Sequence, residues 1–254
     1  MNVTSNSDPV VLITGALTGI GRATALGFAE RGARLVVSGR HADRGEALVA
    51  ELKRAGSEAL FVRADVRSDA DLMELADRAV ERFGRIDIAV NNAGTDGRFA
   101  ALTDVSADLY NAVFDTNVLG TMLSLKHELR VMRDQGSGSI VNISSIYGEH
   151  GFPEASLYVA SKHAIIGLTR SAALEAAAYG VRVNALGPGP VQTAMFDRVT
   201  GHDDEAKAAF LSTVPVGRAG RPEEIAEAIA YVTSPGAGFL TGQTIFLDGG
   251  MTAA

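Results

Sequence analysis

The 254-residue chain has no cysteine, which removes disulfides, thiol nucleophiles and cysteine-based zinc sites together and fits a reducing compartment. Proline is scarce, at 7 residues against 28 glycines, so many tight glycine turns are expected. A basic tract is also missing. The 23 Lys and Arg are mixed along the chain with 30 Asp and Glu, the net charge is −7, and nucleic acid and anionic membrane surfaces are poor partners for such a chain. No uncharged apolar run reaches the roughly 18 residues of a membrane span. The stretch Met1 to Pro9 is polar and lacks the basic and apolar regions of an export signal, so a cytoplasmic protein is expected. What remains, 46% hydrophobic and 21% charged, is enough for one large α/β domain over residues 1–254.

Short apolar runs alternate with helical patterns. The β-branched run Val10 to Ile13 reads as a strand buried on both faces, followed by the glycine loop Thr14 to Gly21 and a helix from Arg22 to Arg31. The next strands are Arg34 to Ser38, Ala59 to Arg63, Ile86 to Val90, Ser139 to Ile143, Val181 to Leu186 and Thr244 to Leu247. Helices are expected at Asp43 to Arg54, through Arg82 with Ser68 and Asp71 as a capping pair, Ser106 to Arg133, Ser156 to Tyr179, and from Pro222 to Thr233. The stretch Val191 to Val216 is less regular. This alternation predicts a doubly wound parallel sheet of about seven strands with helices on both faces, a Rossmann-type fold.

Strand, glycine loop and helix in succession form the arrangement in which backbone N–H groups and a helix N-terminus cradle a pyrophosphate. The glycines at 15, 19 and 21 fit neither the GxGxxG template nor a P-loop, because Arg22 and Ala23 stand where Lys and Ser/Thr would follow. Tyr158 and Lys162 lie four apart on a predicted helix, which places them on one face. A phenol titrates near pH 10 and is a poor base alone, whereas a neighbouring ammonium stabilises its anion and fits it for general acid/base chemistry. The spacing alone also fits a solvated helix face. The polar candidates all fall at the C-terminal ends of predicted strands or on the helix that follows, the edge where open α/β sheets bind ligands.

Several motifs occur in order: Thr14-Gly15 with Gly19-Ile20-Gly21, Asp65-Val66, Asn91-Asn92-Ala93-Gly94, Asn117, Ser145, Tyr158 with Lys162, Pro188-Gly189 with Thr193, and Asp248-Gly249-Gly250. By these the chain resembles the short-chain dehydrogenases/reductases from about Val10 to Gly250. The resemblance implies that Tyr158 is the general acid/base, that Lys162 lowers its pKa and binds the nicotinamide ribose, and that Ser145 orients the carbonyl or alcohol. It implies that Asn117 holds a water linking Lys162 to solvent. Ser144 reads as a strand-end residue, and Asn91 as structural, bonding neighbouring backbone near the adenine side. The cofactor set implied is Gly15, Leu17, Thr18, Gly19, Ile20, Gly21, Gly39, Arg40, His41, Asp65, Val66, Asn92, Ala93, Gly94, Tyr158, Lys162, Pro188, Gly189, Val191 and Thr193, with no metal.

The end of the second strand carries Gly39 where an NAD-preferring site has an acid, and Arg40 follows, where a guanidinium suits a 2′-phosphate. NADP(H) is therefore favoured and NAD(H) remains open, since Thr18 stands where many NADP-preferring relatives carry a second basic residue. The resemblance puts the substrate between Thr95 and Asp96, the stretch Glu149 to Phe152, and a lid-like segment at about 190–216 that includes Pro190. Tyr147, Phe152, Met195 and Phe196 would line it, with His150 as its one imidazole. A neutral or weakly polar ketone, secondary alcohol or ring ketone suits such walls. Small-residue runs on the long helices fit either the core or a subunit interface, and the resemblance implies a homotetramer. The alternatives are an NAD-dependent alcohol or sugar dehydrogenase, and a dinucleotide-binding sensor without turnover.

Overall fold

A computed structural model describes residues 8–253, so the stretch read above for an export signal lies, apart from Asp8 and Pro9, outside the described residues. Seven strands form it: β1 (Val10–Thr14), β2 (Arg34–Gly39), β3 (Ala59–Arg63), β4 (Ile88–Asn91), β5 (Gly138–Ile143), β6 (Val181–Pro188) and β7 (Thr244–Leu247). They make one parallel sheet in the order β3-β2-β1-β4-β5-β6-β7. The expected doubly wound architecture is observed.

Side chains alternate across a strand, and both faces here are covered, which explains the continuous apolar runs. Val10 and Leu12 enter a core with Leu72, Leu75, Met132, Ile140 and Ala173, formed with the helices α3 (Asp69–Phe83), α5 (Gly120–Gln135) and α6 (Ser156–Ala176). Val11 and Ile13 enter the opposite core with Phe28, Leu52, Ile225 and Ile229, from α1 (Gly19–Ala29), α2 (Ala42–Arg54) and α9 (Pro222–Thr233). The strand order reverses between β1 and β4, where Thr14 pairs with Asn91. A crevice at that point is where such sheets take ligands.

Four departures from expectation bear on the site. Helix α1 begins at Gly19, inside the glycine loop, so its N-terminus faces the crevice. Strand β4 begins at Ile88, because the Gln135 side chain accepts from the Ile86 N–H and donates to the Ile86 carbonyl, both at 2.8 Å, which ties Ile86 outside the ladder. The expected helix from Ser106 to Arg133 is α4 (Ala107–Phe114) and α5 joined by one wide π turn, Asp115–Leu119, centred on Asn117. Such widened turns concentrate at functional sites. The less regular stretch contains α7 (Ala194–Val199) and α8 (Asp204–Leu211), capped by Thr193, which accepts from the Phe196 N–H, and Asp203, which accepts from the Glu205 N–H.

Candidate active site

The glycine loop is shaped by two backbone positions. Gly15 and Gly19 sit at φ 63° and 53°, in the left-handed region that side chains disfavour, and a Cβ on Gly15 would lie 2.8 Å from the Ala93 Cα. The loop is tied to the end of β4: the Asn92 amide donates to the carbonyls of Thr14 (3.2 Å) and Gly15 (3.0 Å), and the Thr14 hydroxyl accepts from the Asn92 and Ala93 N–H groups. The result is a groove of about 600 Å³ whose floor is backbone and whose end receives the positive pole of α1. These features fit a dinucleotide, because a cradle this close to backbone admits phosphates and excludes side chains.

Three side chains converge beyond the groove. Ser145 follows β5 and is 6% exposed, and its hydroxyl accepts from the Tyr147 N–H at 3.2 Å. Tyr158 and Lys162 lie one turn apart on α6, with the Lys162 Nζ 5.5 Å from the centre of the phenol ring. Lys162 is 5% exposed, and among the described residues its ammonium has one hydrogen-bond partner, the Ile143 carbonyl at 2.9 Å. Burial pushes the phenol up to about 12, opposed in part by the Ser145 hydroxyl, and pushes the ammonium down to about 8. The expected lowering of the phenol by Lys162 is thus not seen: the ammonium lies at the ring face and bonds a backbone carbonyl, while burial, and after it Asp96 and Tyr147, hold the phenol up.

The wall behind them is side chain. Asp96, Phe99, Ile146, Tyr147, Phe196 and Phe210 line a cavity of about 150 Å³ with Ser145, Tyr158 and Lys162. Phe196 meets Phe210 edge-on at 5.6 Å between centroids, and Tyr147 meets Tyr158 likewise at 6.3 Å. The Arg198 guanidinium on α7 donates to the largely buried Asp96 carboxylate at 3.0 Å, which fastens the 190–216 segment to the loop after β4.

A family model described as "Enoyl-(Acyl carrier protein) reductase" matches residues 15–252. The cis-4-hydroxycyclohexanecarboxylate dehydrogenase of Sinomonas cyclohexanicum is 42% identical over 247 residues, 97% of this chain and 98% of that protein. The chain belongs to the short-chain dehydrogenase/reductase family. Levodione reductase superposes with a TM-score of 0.94 at 36% identity, covering 98% of this chain and 99% of its own. A variant of actinorhodin polyketide ketoreductase, solved with NADPH, gives 0.93 at 36% identity, with 97% and 98% covered. The protein is an NAD(P)-dependent dehydrogenase/reductase acting on CH–OH groups.

Most of the cofactor set expected of this short-chain dehydrogenase/reductase lines the groove: Gly15, Leu17 to Ile20, Gly39, Arg40, His41, Asp65, Val66, Asn92 to Gly94 and Thr193. Tyr158, Lys162, Pro188, Gly189 and Val191 line the adjoining cavity. Gly21 lines neither. It lets α1 pack on the loop, since a Cβ there would lie 2.4 Å from the Gly15 carbonyl oxygen. The Asp65 carboxylate is paired with Arg67, and that pair holds its pKa below the usual carboxylate range. Arg44 and Arg198 are among the groove residues that carried no sequence signal, although Arg44 sits four positions after Arg40 at the start of α2.

On the substrate side Asp96, Tyr147, Pro190, Met195 and Phe196 line the cavity as expected, whereas Thr95, His150 and Phe152 are not among the lining residues. Thr95 is clamped by Asn117, His150 is exposed, and Phe152 stands behind Tyr147 at 4.9 Å between centroids. Asn117 is fully buried, and its amide accepts from the Thr95 N–H (2.8 Å) and donates to the Thr95 carbonyl and the Ser161 hydroxyl. Its side chain is a strut between the loop after β4 and α6. Ser144 supports the strand end, donating to the Lys162 carbonyl, and also lines the cavity. Asn91 is structural, but its partners are the Glu128 and Asn142 side chains and not backbone groups. Phe99 lies in a loop with no motif around it and was not legible beforehand. Among the described residues no helix is long and apolar enough to cross a membrane.

Proposed function

We propose that this protein interconverts a compact ring ketone and its secondary alcohol with NADP(H), with Tyr158 as the general acid/base. The observation that carries the reading is the convergence of Ser145, Tyr158 and Lys162 on one cavity that opens into the dinucleotide groove. The nicotinamide, when bound, supplies or accepts the hydride. The chain supplies the rest. Ser145 and Tyr158 direct two hydroxyl donors at the substrate oxygen, where negative charge develops as the carbonyl is reduced. With its phenol pushed up to about 12, Tyr158 holds its proton at neutral pH and can deliver it to that oxygen. Lys162 has N–H donors beyond the one used on Ile143, suited to ribose hydroxyls.

The preference for NADP(H) is supported by Arg40 and Arg44, whose exposed side chains share one end of the groove with Gly39, while Arg22 and Arg198 are committed to Glu51 and Asp96. The ring-sized substrate is supported by the aromatic cavity, and by a relative whose name specifies a hydroxylated cyclohexane ring. The 190–216 segment acts as the lid of that cavity. Exposed Leu174 on α6 and Met122 on α5 fit a homotetramer, which light scattering tests directly. For the activity, NADPH consumption is followed with a panel of cyclic ketones, with Tyr158→Phe as control. The substitution is expected to lower kcat by about 10²- to 10⁴-fold while NADPH still binds. Turnover that survives it intact would contradict the role given to the phenol.

A further inference from the structure

Gly39 has no conformational reason to be glycine. Its φ lies outside the left-handed region, so any L-residue could adopt its backbone, in contrast to Gly15 and Gly19. Space is the constraint instead. A Cβ built on Gly39 would lie 2.6 Å from the Leu17 Cδ1 and 2.7 Å from its Cγ, both well inside van der Waals contact. The backbone is held in place, since the Gly39 carbonyl accepts from the Ala64 N–H at 3.2 Å and the Ser38 carbonyl from the Ala16 N–H at 3.0 Å, so the Leu17 side chain is what would have to shift. The second of these bonds presses the glycine loop against the end of β2, which brings Leu17 over Gly39. Leu17 in turn is partly buried against the core that holds Val11, Ile13, Leu35 and Val37, so swinging it outward would expose apolar surface.

We infer that Leu17 is a cofactor-specificity residue: it occupies the space that an acidic side chain at position 39 would need in order to accept hydrogen bonds from the adenosine ribose. Selection at this end of the groove is therefore written in a pair. Leucine in the loop and glycine on the strand exclude the carboxylate, and with it the repulsion a 2′-phosphate would meet there. Gly39 removes the carboxylate, and Leu17, filling the vacated space, keeps an acid from being restored there without a second change. The inference rests on the NADP(H) reading above, and it gives that reading a steric cause in addition to Arg40 and Arg44.

The test is a cycle of four proteins: wild type, Gly39→Asp, Leu17→Ala and the double variant. Each is titrated with NADPH and with NADH by reduced-nicotinamide fluorescence and melted without cofactor. Gly39→Asp alone is expected to melt lower and to bind both cofactors more weakly, while the double variant binds NADH at least about tenfold more tightly than Gly39→Asp does. A single Gly39→Asp variant that matches the double in NADH affinity and the wild type in melting temperature would overturn the proposal. So would a well-folded double with no gain. If Gly39→Asp does not fold, Gly39→Ala takes its place in the melting cycle, where strictly additive effects with Leu17→Ala count against the clash. A wild type that itself prefers NADH would instead refute the NADP(H) reading, and the difference between the single and double variants would still be measurable.

Discussion

The dinucleotide groove and the substrate cavity share Ile20, Asn92, Gly94, Thr193 and Met195, yet they are made of different material. The pyrophosphate end of the groove is built from backbone, a glycine loop, the strand end after β4 and a helix N-terminus, stitched together by Asn92 and Thr14, while side chains such as Arg40 and Arg44 line its other end. The cavity is largely side chain, with Phe99, Tyr147, Phe196 and Phe210 brought in from four separate loops and helices. A backbone surface has one shape and tolerates almost no added atoms. An aromatic surface changes with every substitution, so one cofactor site can serve many ketones.

The residues proposed as catalytic sit on the boundary, and the largest expected effect lies there. Lys162→Met should lower kcat by two or more orders of magnitude. The same change should raise the melting temperature at neutral pH. Burial depresses this lysine from 10.5 to about 8, so holding it charged costs the fold on the order of 3 kcal/mol below pH 8, and the cost fades as pH rises towards 10.5. Thermal melts at pH 7 and pH 10 check both signs: a stabilisation as large at pH 10 as at pH 7 would contradict this origin.

A second buried group lies beneath the groove. Glu128 is 2% exposed, accepts from the Asn91 amide at 2.9 Å, and has its other oxygen unpartnered among the described residues. Burial pushes it up from 4.5 to about 7, so the stability its neutral form confers is complete below pH 4.5 and is lost as pH rises through 7. Glu128→Gln should therefore stabilise the protein by up to about 3 kcal/mol at pH 8, with less gain at pH 5, in denaturant titrations at the two pH values. Equal gains at both would reject the assignment.

Two smaller substitutions separate the groove from the cavity. Gly21→Ala would bring a methyl group to 2.4 Å from the Gly15 carbonyl oxygen and 2.5 Å from the Asn92 amide nitrogen. It should cost about 1–3 kcal/mol of stability and weaken NADPH binding as the loop shifts, with KM for the ketone little changed once cofactor saturates. Phe210→Ala should do the reverse. Loss of its edge contact with Phe196 should raise KM for ring ketones by about tenfold, equivalent to about 1.4 kcal/mol, and leave the NADPH dissociation constant within error. A Phe210→Ala protein whose cofactor affinity falls in parallel would mean that the two regions are not separable.

The sheet and the ligand-binding edge were legible beforehand because each rests on local chemistry, whereas Ser145, Tyr158 and Lys162 stood out as a set only through the family resemblance. Buried parallel strands require apolar runs, a phosphate-binding turn requires glycines, and an i, i+4 spacing puts two side chains on one helical face. Those constraints act within a few residues and leave their mark on the chain itself. Where Thr95 turns, how Asn117 spends its amide, which guanidinium faces the groove and which pairs with Asp96, and why position 39 has no room for a side chain were decided by the tertiary structure. Each depends on distances between groups as far apart in the chain as Asp96 and Arg198, and such distances are set by how whole elements pack rather than by the order of residues within any one of them.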